Sequence, residues 1–200
     1  MNILLTSHRF SPDIGGIETI SAILAHHFCA VGHHVRLITQ TSTGSIDDCS
    51  FPFPVLRHPS PRQLLSSYRW ADVVLQNNLE TRQLWPQLLC RKPLVIGLQT
   101  WIRSVDGNRS VLQRLKLLAL DAADQLIACS EAVRRDCISR AVVIGNPYNG
   151  ELFRPLPGLP RQRAFAFLGR LVSDKGADLL LRAFASLQPT DWRLILIGDG

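Results

Sequence analysis

The sequence has no C-x-x-C pair. Its five cysteines, Cys29, Cys49, Cys90, Cys129 and Cys137, are odd in number and far apart, which argues against both a disulfide framework and a zinc cluster and makes a reducing compartment the default. It has no run of 18 apolar residues, and its first ten residues carry neither a charged leader nor the apolar stretch of a signal peptide. The expectation is a cytoplasmic protein, with peripheral contact at the inner membrane face left open. It also has no cluster of five basic residues, although the net charge is +6 and 19 of the 22 basic residues are arginine. Arginine suits bidentate phosphate contact. Spread along the chain as it is here, it does not point to nucleic acid as a partner.

What is present is an ordinary globular composition, 46% hydrophobic and 19% charged, in a chain of 200 residues long enough for one sizeable core and part of another. Runs rich in Ile, Val and Leu recur at 2–6, 34–39, 72–76, 94–99, 125–129, 141–145, 164–168 and 193–197. Several are apolar without polar alternation, as strands buried on both faces of a parallel sheet are. Between them lie helical stripes: Ile17, Ile20, Leu24, Phe28 and Val31, then Ala177, Leu180, Leu181, Phe184 and Leu187. Strand alternating with helix predicts an α/β fold, a Rossmann-like parallel sheet flanked by helices. Pro147, Pro155, Pro157 and Pro160 interrupt the alternation. The expected organisation is a first Rossmann-like domain over 1–146, a Pro/Gly-rich linker over 147–163, and over 164–200 the opening β-α-β of a second such domain whose remainder is missing.

Two stretches carry chemistry. In "SPDIGGIETI" (11–20), Gly15 and Gly16 lie between the first strand and the first helix, where unpaired N–H groups and the helix dipole favour an anion. Without Cβ atoms they let a phosphate or sugar oxygen approach. A tight connection needing positive φ is an equal alternative, and the spacing is not the G-x-G-x-x-G of dinucleotide enzymes. In "FLGRLVSDKGADLLLRAF" (167–184), a strand ends at Gly169, a loop presents Arg170 and Lys175, and a helix follows with Asp174 as its expected cap. Two cations beside a helix N-terminus suit a diphosphate.

Together with "G-H-H-V-R-L-I-T", "V-I-G-N-P-Y-N-G-E-L-F-R-P" and "L-I-L-I-G-D-G", and in the same order along nearly the whole chain, these stretches resemble family 4 retaining glycosyltransferases of the GT-B fold. The resemblance implies transfer of a sugar from a nucleotide-diphosphate sugar to a hydroxyl of a sugar or lipid-linked acceptor, with retained anomeric configuration, in surface polysaccharide or glycolipid synthesis. Gly15 and Gly16 match the loop against the donor diphosphate and sugar. Arg170 and Lys175 match the pair that neutralises the departing diphosphate, so no metal and no cofactor is expected. The sequence agrees in containing no Asp-x-Asp; Asp47 and Asp48 read as a solvated turn.

The family commonly has a histidine after the strand aligned with "P-L-V-I-G-L-Q-T", and here Gln99 stands in its place. An amide can still bond a sugar hydroxyl but cannot change charge near neutral pH. The family's glutamate pair belongs further into the second domain, so little transferase activity is expected of these residues alone. His8, Gln99, Trp101 and Arg103 are the candidate acceptor-side residues, with Trp101 equally readable as core and His8 as structural. The His26, His27, His33 and His34 pairs are not expected to hold metal. Residues 108–123 read as a packed helix, with a membrane-surface helix as the lesser alternative, and Ser130 as a helix cap. A nucleotide-sugar epimerase and a non-catalytic sugar-binding subunit are the competing function classes. Turnover of donor without acceptor would mark the first, and real loss of the glutamate pair the second.

Overall fold

A computed structural model of the chain describes residues 1–44, 47–101, 111–137, 140–187 and 191–199. The chain forms two compact units, Met1–Phe153 and Arg154–Gly200.

The first unit runs β1 (Asn2–Ser7), α1 (Gly16–Ala30), β2 (His34–Thr39), β3 (Val55–Arg57), α2 (Pro61–Trp70), β4 (Val73–Asn77), β5 (Leu94–Leu98), α3 (Val111–Asp121), β6 (Gln125–Ala128), α4 (Glu131–Cys137) and β7 (Val142–Val143). Its seven strands make one sheet in the order β3-β2-β1-β4-β5-β6-β7, and every pairing is parallel. Alternate residues of each strand feed opposite faces. Leu4, Ile38, Val74 and Ile96 join Tyr68 and Leu64 of α2 in one core. Ile3, Leu5, Val35 and Leu37 join Phe10, Ala25 and Phe53 in the other. Both faces are covered, and this is why the strands read as continuous apolar runs. The strand order reverses between β1 and β4, the point at which open α/β sheets leave a crevice at the carboxyl ends of their strands.

Local chemistry starts the helices. Ser60 and Gln63 form a reciprocal capping box ahead of α2 with Pro61 in its first turn, and the Ser130 hydroxyl accepts from the Val133 N–H at 3.3 Å, as expected of a cap. Helix α1 keeps most of its predicted stripe: Ile20 is buried, Phe28 packs against the second core, and Ile17 and Leu24 are half-buried, while Val31 is exposed. The small residues Ser21 and Ala25 are buried beside the stripe. In α3, Leu120 is buried whereas Leu117 and Leu118 are exposed.

Asp48 corrects the expectation of a solvated turn. Its carboxylate accepts from Nε and Nη2 of Arg57 at 3.0 and 2.7 Å, while Nη1 of the same guanidinium donates to the carbonyls of Thr41 and Ser42 at 2.9 and 3.3 Å. Arg57 ends β3, a three-residue edge strand between prolines and polar residues that the apolar pattern does not announce.

The second unit is β8 (Ala164–Leu168), α5 (Ala177–Ser186) and β9 (Arg193–Ile197), a parallel β-α-β. Phe165 packs against Phe184 and Trp192 at ring-centroid distances of 6.0 and 5.0 Å. Asp174 does not cap α5. It lies inside a short 3-10 turn, Ser173–Lys175, and the chain enters the helix through Gly176 at φ 72° with no side-chain cap. A left-handed entry residue turns the backbone sharply there and leaves Asp174 too far upstream to reach the free N–H groups. No helix of the described residues is long and apolar enough to cross a membrane.

Candidate functional site

The carboxyl ends of β1, β4 and β5 carry Ser7, Asn77 and Gln99, polar residues at the points where apolar strands meet the crevice. They are joined by side-chain hydrogen bonds. Gln99 Nε2 donates to Asn77 Oδ1 at 2.9 Å; Asn77 Nδ2 donates to Ser21 Oγ at 2.8 Å and to the Ile17 carbonyl at 3.0 Å; Ser21 Oγ donates to Ser7 Oγ at 2.9 Å. Ser7, Ser21 and Asn77 are buried. The network ties the first turn of α1 to the middle of the sheet and holds the Gln99 amide at its edge. Gln99 lies just after β5, at the carboxyl edge of the sheet.

The loop from β1 to α1 is pinned as well. The His8 carbonyl accepts from Gln40 N and Thr39 Oγ1 at 3.0 and 3.2 Å, and Phe10 N donates to Thr41 Oγ1 at 3.1 Å. At its end, Gly15 is extended, with φ 177°, and Gly16 opens the helix. Neither lies in the left-handed region, so a need for left-handed backbone does not account for the pair. A Cβ at Gly15 would run into the flexible Glu18 carboxylate, whereas one at Gly16 would meet nothing within 4 Å. Neither backbone conformation nor internal packing requires glycine at 16. The space a side chain at 16 would fill is open.

His8 Nδ1 lies 3.1 Å from Glu80 Oε2, with the imidazole 54% exposed. The other Glu80 oxygen accepts from Arg82 N at 3.1 Å. The Glu80 backbone is gripped by the buried Gln76 amide, which accepts from Glu80 N at 3.1 Å and donates to Glu80 O at 3.0 Å. A carboxylate fixed in this way orients the ring: donation from Nδ1 leaves Nε2 to accept from an incoming hydroxyl. His8, Gln40, Glu80, Arg82, Gln83 and Trp85 line a cavity of about 260 Å³. Beneath it, the buried Tyr68 hydroxyl donates to the Gln83 carbonyl at 2.8 Å, and burial pushes the Tyr68 phenol well above its usual range.

Trp101 is 65% exposed just after β5, so it is not core. Arg103 lies outside the described residues. Arg170 and Lys175 belong to the second unit and are exposed beside the end of β8. Gly169 and Gly198 cross closely there: Gly169 N donates to the Ile197 carbonyl at 3.0 Å, and a Cβ at Gly198 would overlap the Gly169 carbonyl. The His26 ring packs edge-on to Phe53 at 5.3 Å, and among the described residues no group of three His, Cys, Asp or Glu side chains is placed to hold a metal.

Sequence reasoning missed Asn77, Glu80 and Gln83. The available signal was "Q-N-N-L-E" (76–80), a run of amides and an acid directly after an apolar strand.

No protein-family model matches the sequence, and no curated protein sequence matches it. Solved structures do. The chain superposes on HepE of Anabaena in complex with UDP and glucose with a TM-score of 0.74 at 19% identity, covering 99% of this chain and 61% of that one. For a sucrose-phosphate synthase from Thermosynechococcus elongatus the TM-score is 0.72 at 19% identity, covering 98% and 62%. For the lipopolysaccharide outer core galactosyltransferase WaaB it is 0.61 at 18% identity, covering 100% and 61%. The chain therefore spans about three fifths of the length of these structures, and over that span it has their α/β Rossmann-like fold.

Proposed function

We propose that the chain is part of a retaining glycosyltransferase of family 4 and the GT-B fold, which moves a sugar from a nucleotide-diphosphate sugar to an acceptor hydroxyl without a metal or cofactor. The setting is cytoplasmic, at or near the inner membrane face, in surface polysaccharide or glycolipid synthesis. Arg170 and Lys175 carry the main catalytic contribution by neutralising the departing diphosphate. Positioned charges of this kind are worth about 10²–10³ in rate for each donor removed. The Gly15–Gly16 backbone receives a donor oxygen at the α1 terminus, and His8, Gln99, Trp101 and Arg103 face the acceptor.

One observation carries this reading: Gly16 has an ordinary helical backbone with open space where a side chain would stand. An ordinary residue fits there without strain, so the missing Cβ makes sense as clearance for a ligand. The superposition of this chain on three fifths of structures holding UDP and UDP-glucose supports the donor class.

The test is calorimetric titration with UDP and UDP-glucose of the wild type, Gly16→Ala, and the Arg170→Ala/Lys175→Ala double variant. Gly16→Ala is expected to keep or raise thermal stability, since alanine is the better helix former by up to about 1 kcal/mol, while losing about tenfold or more in UDP-glucose affinity. The double variant is expected to lose UDP. If Gly16→Ala binds as well as wild type, or if UDP binds the double variant undiminished, the reading is wrong.

A further inference from the structure

We infer that Glu18 is a ligand-binding residue at the carboxyl edge of the sheet, whose carboxylate accepts from a hydroxyl of the transferred sugar and selects an uncharged sugar; this deepens the transferase reading and rests on it. Glu18 stands in the first turn of α1 and is only 8% exposed. Its carboxylate makes no hydrogen bond or ion pair with a described residue. Its spacing from Gly15 would suit a capping box, yet the helix has no side-chain cap hydrogen bond. A carboxylate withdrawn from water without a partner is costly unless a ligand completes it. Among the described residues, the buried side-chain polar atoms with neither partner nor accessible surface are Thr6 Oγ1 and both ends of the Gln83 amide. The Glu18 oxygens do not belong to that set, so a ligand can touch them.

Position decides what that ligand meets. Glu18 shares a helix face with Ser21 and Ala25, all three buried. Ser21 is bonded to Ser7 and Asn77, the last residues of β1 and β4. Glu18 is three residues nearer the helix terminus, about 4.5 Å further along the axis. It therefore projects beyond the strand ends, and its carboxylate lies against Gly15. The same edge carries Gln99, whose Nε2 is committed to Asn77 at 2.9 Å and whose Oε1 has no described partner. Two acceptors, Glu18 and Gln99, thus stand near the first-turn N–H groups of α1, which have no intrahelical partner. A hydroxyl suits such a mixed surface because it donates and accepts at once. A phosphate oxygen only accepts and an ammonium only donates. A sugar carrying its own carboxylate is repelled by Glu18.

The full chain and its Glu18→Gln variant are titrated calorimetrically with UDP, UDP-glucose, UDP-galactose and UDP-glucuronic acid. Wild type is expected to bind at least one of the two neutral sugar nucleotides more tightly than UDP. Glu18→Gln, which exchanges a charged acceptor for a neutral amide, is expected to weaken that sugar nucleotide about tenfold and to leave UDP unchanged. UDP-glucuronic acid is expected to bind wild type no better than UDP, and to bind the variant better than wild type. The variant's thermal midpoint is expected not to fall, because an unpaired buried charge is removed. Equal losses for UDP and the sugar nucleotide, with a lowered midpoint, would make Glu18 a structural helix-end residue and overturn the inference. So would a sugar nucleotide that the variant binds undiminished. The outcomes also separate the two readings. If UDP binds wild type and needs Arg170 and Lys175 while the preference for the sugar nucleotide ignores Glu18, only this inference falls. If UDP does not bind wild type, the transferase reading falls, and methyl glucoside and methyl galactoside decide the inference: binding that Glu18→Gln weakens sustains it, and binding indifferent to Glu18, or none, overturns it.

Discussion

Replacing Asn77 with alanine is the sharpest probe of how the crevice is held. The amide is buried and makes three hydrogen bonds, accepting from Gln99 at 2.9 Å and donating to Ser21 Oγ and the Ile17 carbonyl at 2.8 and 3.0 Å. The three losses are unequal. Gln99 is only half-buried and water can take over its donor, while the Ser21 hydroxyl still donates to Ser7 Oγ. Counting about 1 kcal/mol for each of the two bonds to α1 and a similar amount for the lost packing of the side chain gives a destabilisation of about 2–3 kcal/mol. With a urea slope of about 2 kcal/mol/M, the midpoint should fall by about 1–1.5 M in denaturation followed by far-UV circular dichroism. Asn77→Asp should cost more at neutral pH, because an oxygen replaces the donor aimed at the Ile17 carbonyl and a buried charge is added. That excess should shrink as pH falls and the carboxyl protonates. A midpoint shift of less than about 0.3 M for Asn77→Ala, at unchanged slope, would refute the network as the element that ties α1 to the sheet.

Two further outcomes are expected. Asp48→Ala should destabilise by about 2–3 kcal/mol and Arg57→Met by less, since the first leaves the 7%-exposed guanidinium without its carboxylate while the second leaves a 29%-exposed carboxylate and the Thr41 and Ser42 carbonyls, beside an exposed loop that water can reach; equal costs in thermal or urea unfolding would contradict this asymmetry. Burial holds the Tyr68 phenol well above its usual pKa, so the folded state keeps a proton that the unfolded state releases from about pH 10 upward. Stability from this group is therefore full below pH 10 and lost above it. Unfolding curves at pH 9 and 11 should show a wild-type loss that Tyr68→Phe lacks, and an equal loss in both proteins would disprove it.

The alternation of strand and helix was legible because each central strand is buried on both faces, which leaves an apolar run that needs no partner to be recognised. Gly15 and Gly16 were legible because glycine is conspicuous wherever it stands. β3 was not: three residues between Pro54 and His58 at a sheet edge bury too little to leave a pattern. Nor was the role of Asp48, whose partner Arg57 belongs to that unseen strand. The α1 stripe held at Ile20 and Phe28 but did not show that Ser21 and Ala25 beside it would be buried as well, because small side chains leave no apolar signal.

By itself, then, the sequence determined what depends on neighbours along the chain: the runs that become strands, the caps at Ser60 and Ser130, and the glycine loop. Tertiary structure decided the strand order, and through it the site. Asn77 reaches Ile17 across 60 residues and Gln99 across 22, and His8 meets Glu80 only because β1 and β4 lie side by side. Periodicity reports the face a residue presents; only the pairing of strands decides which polar ends converge on one crevice.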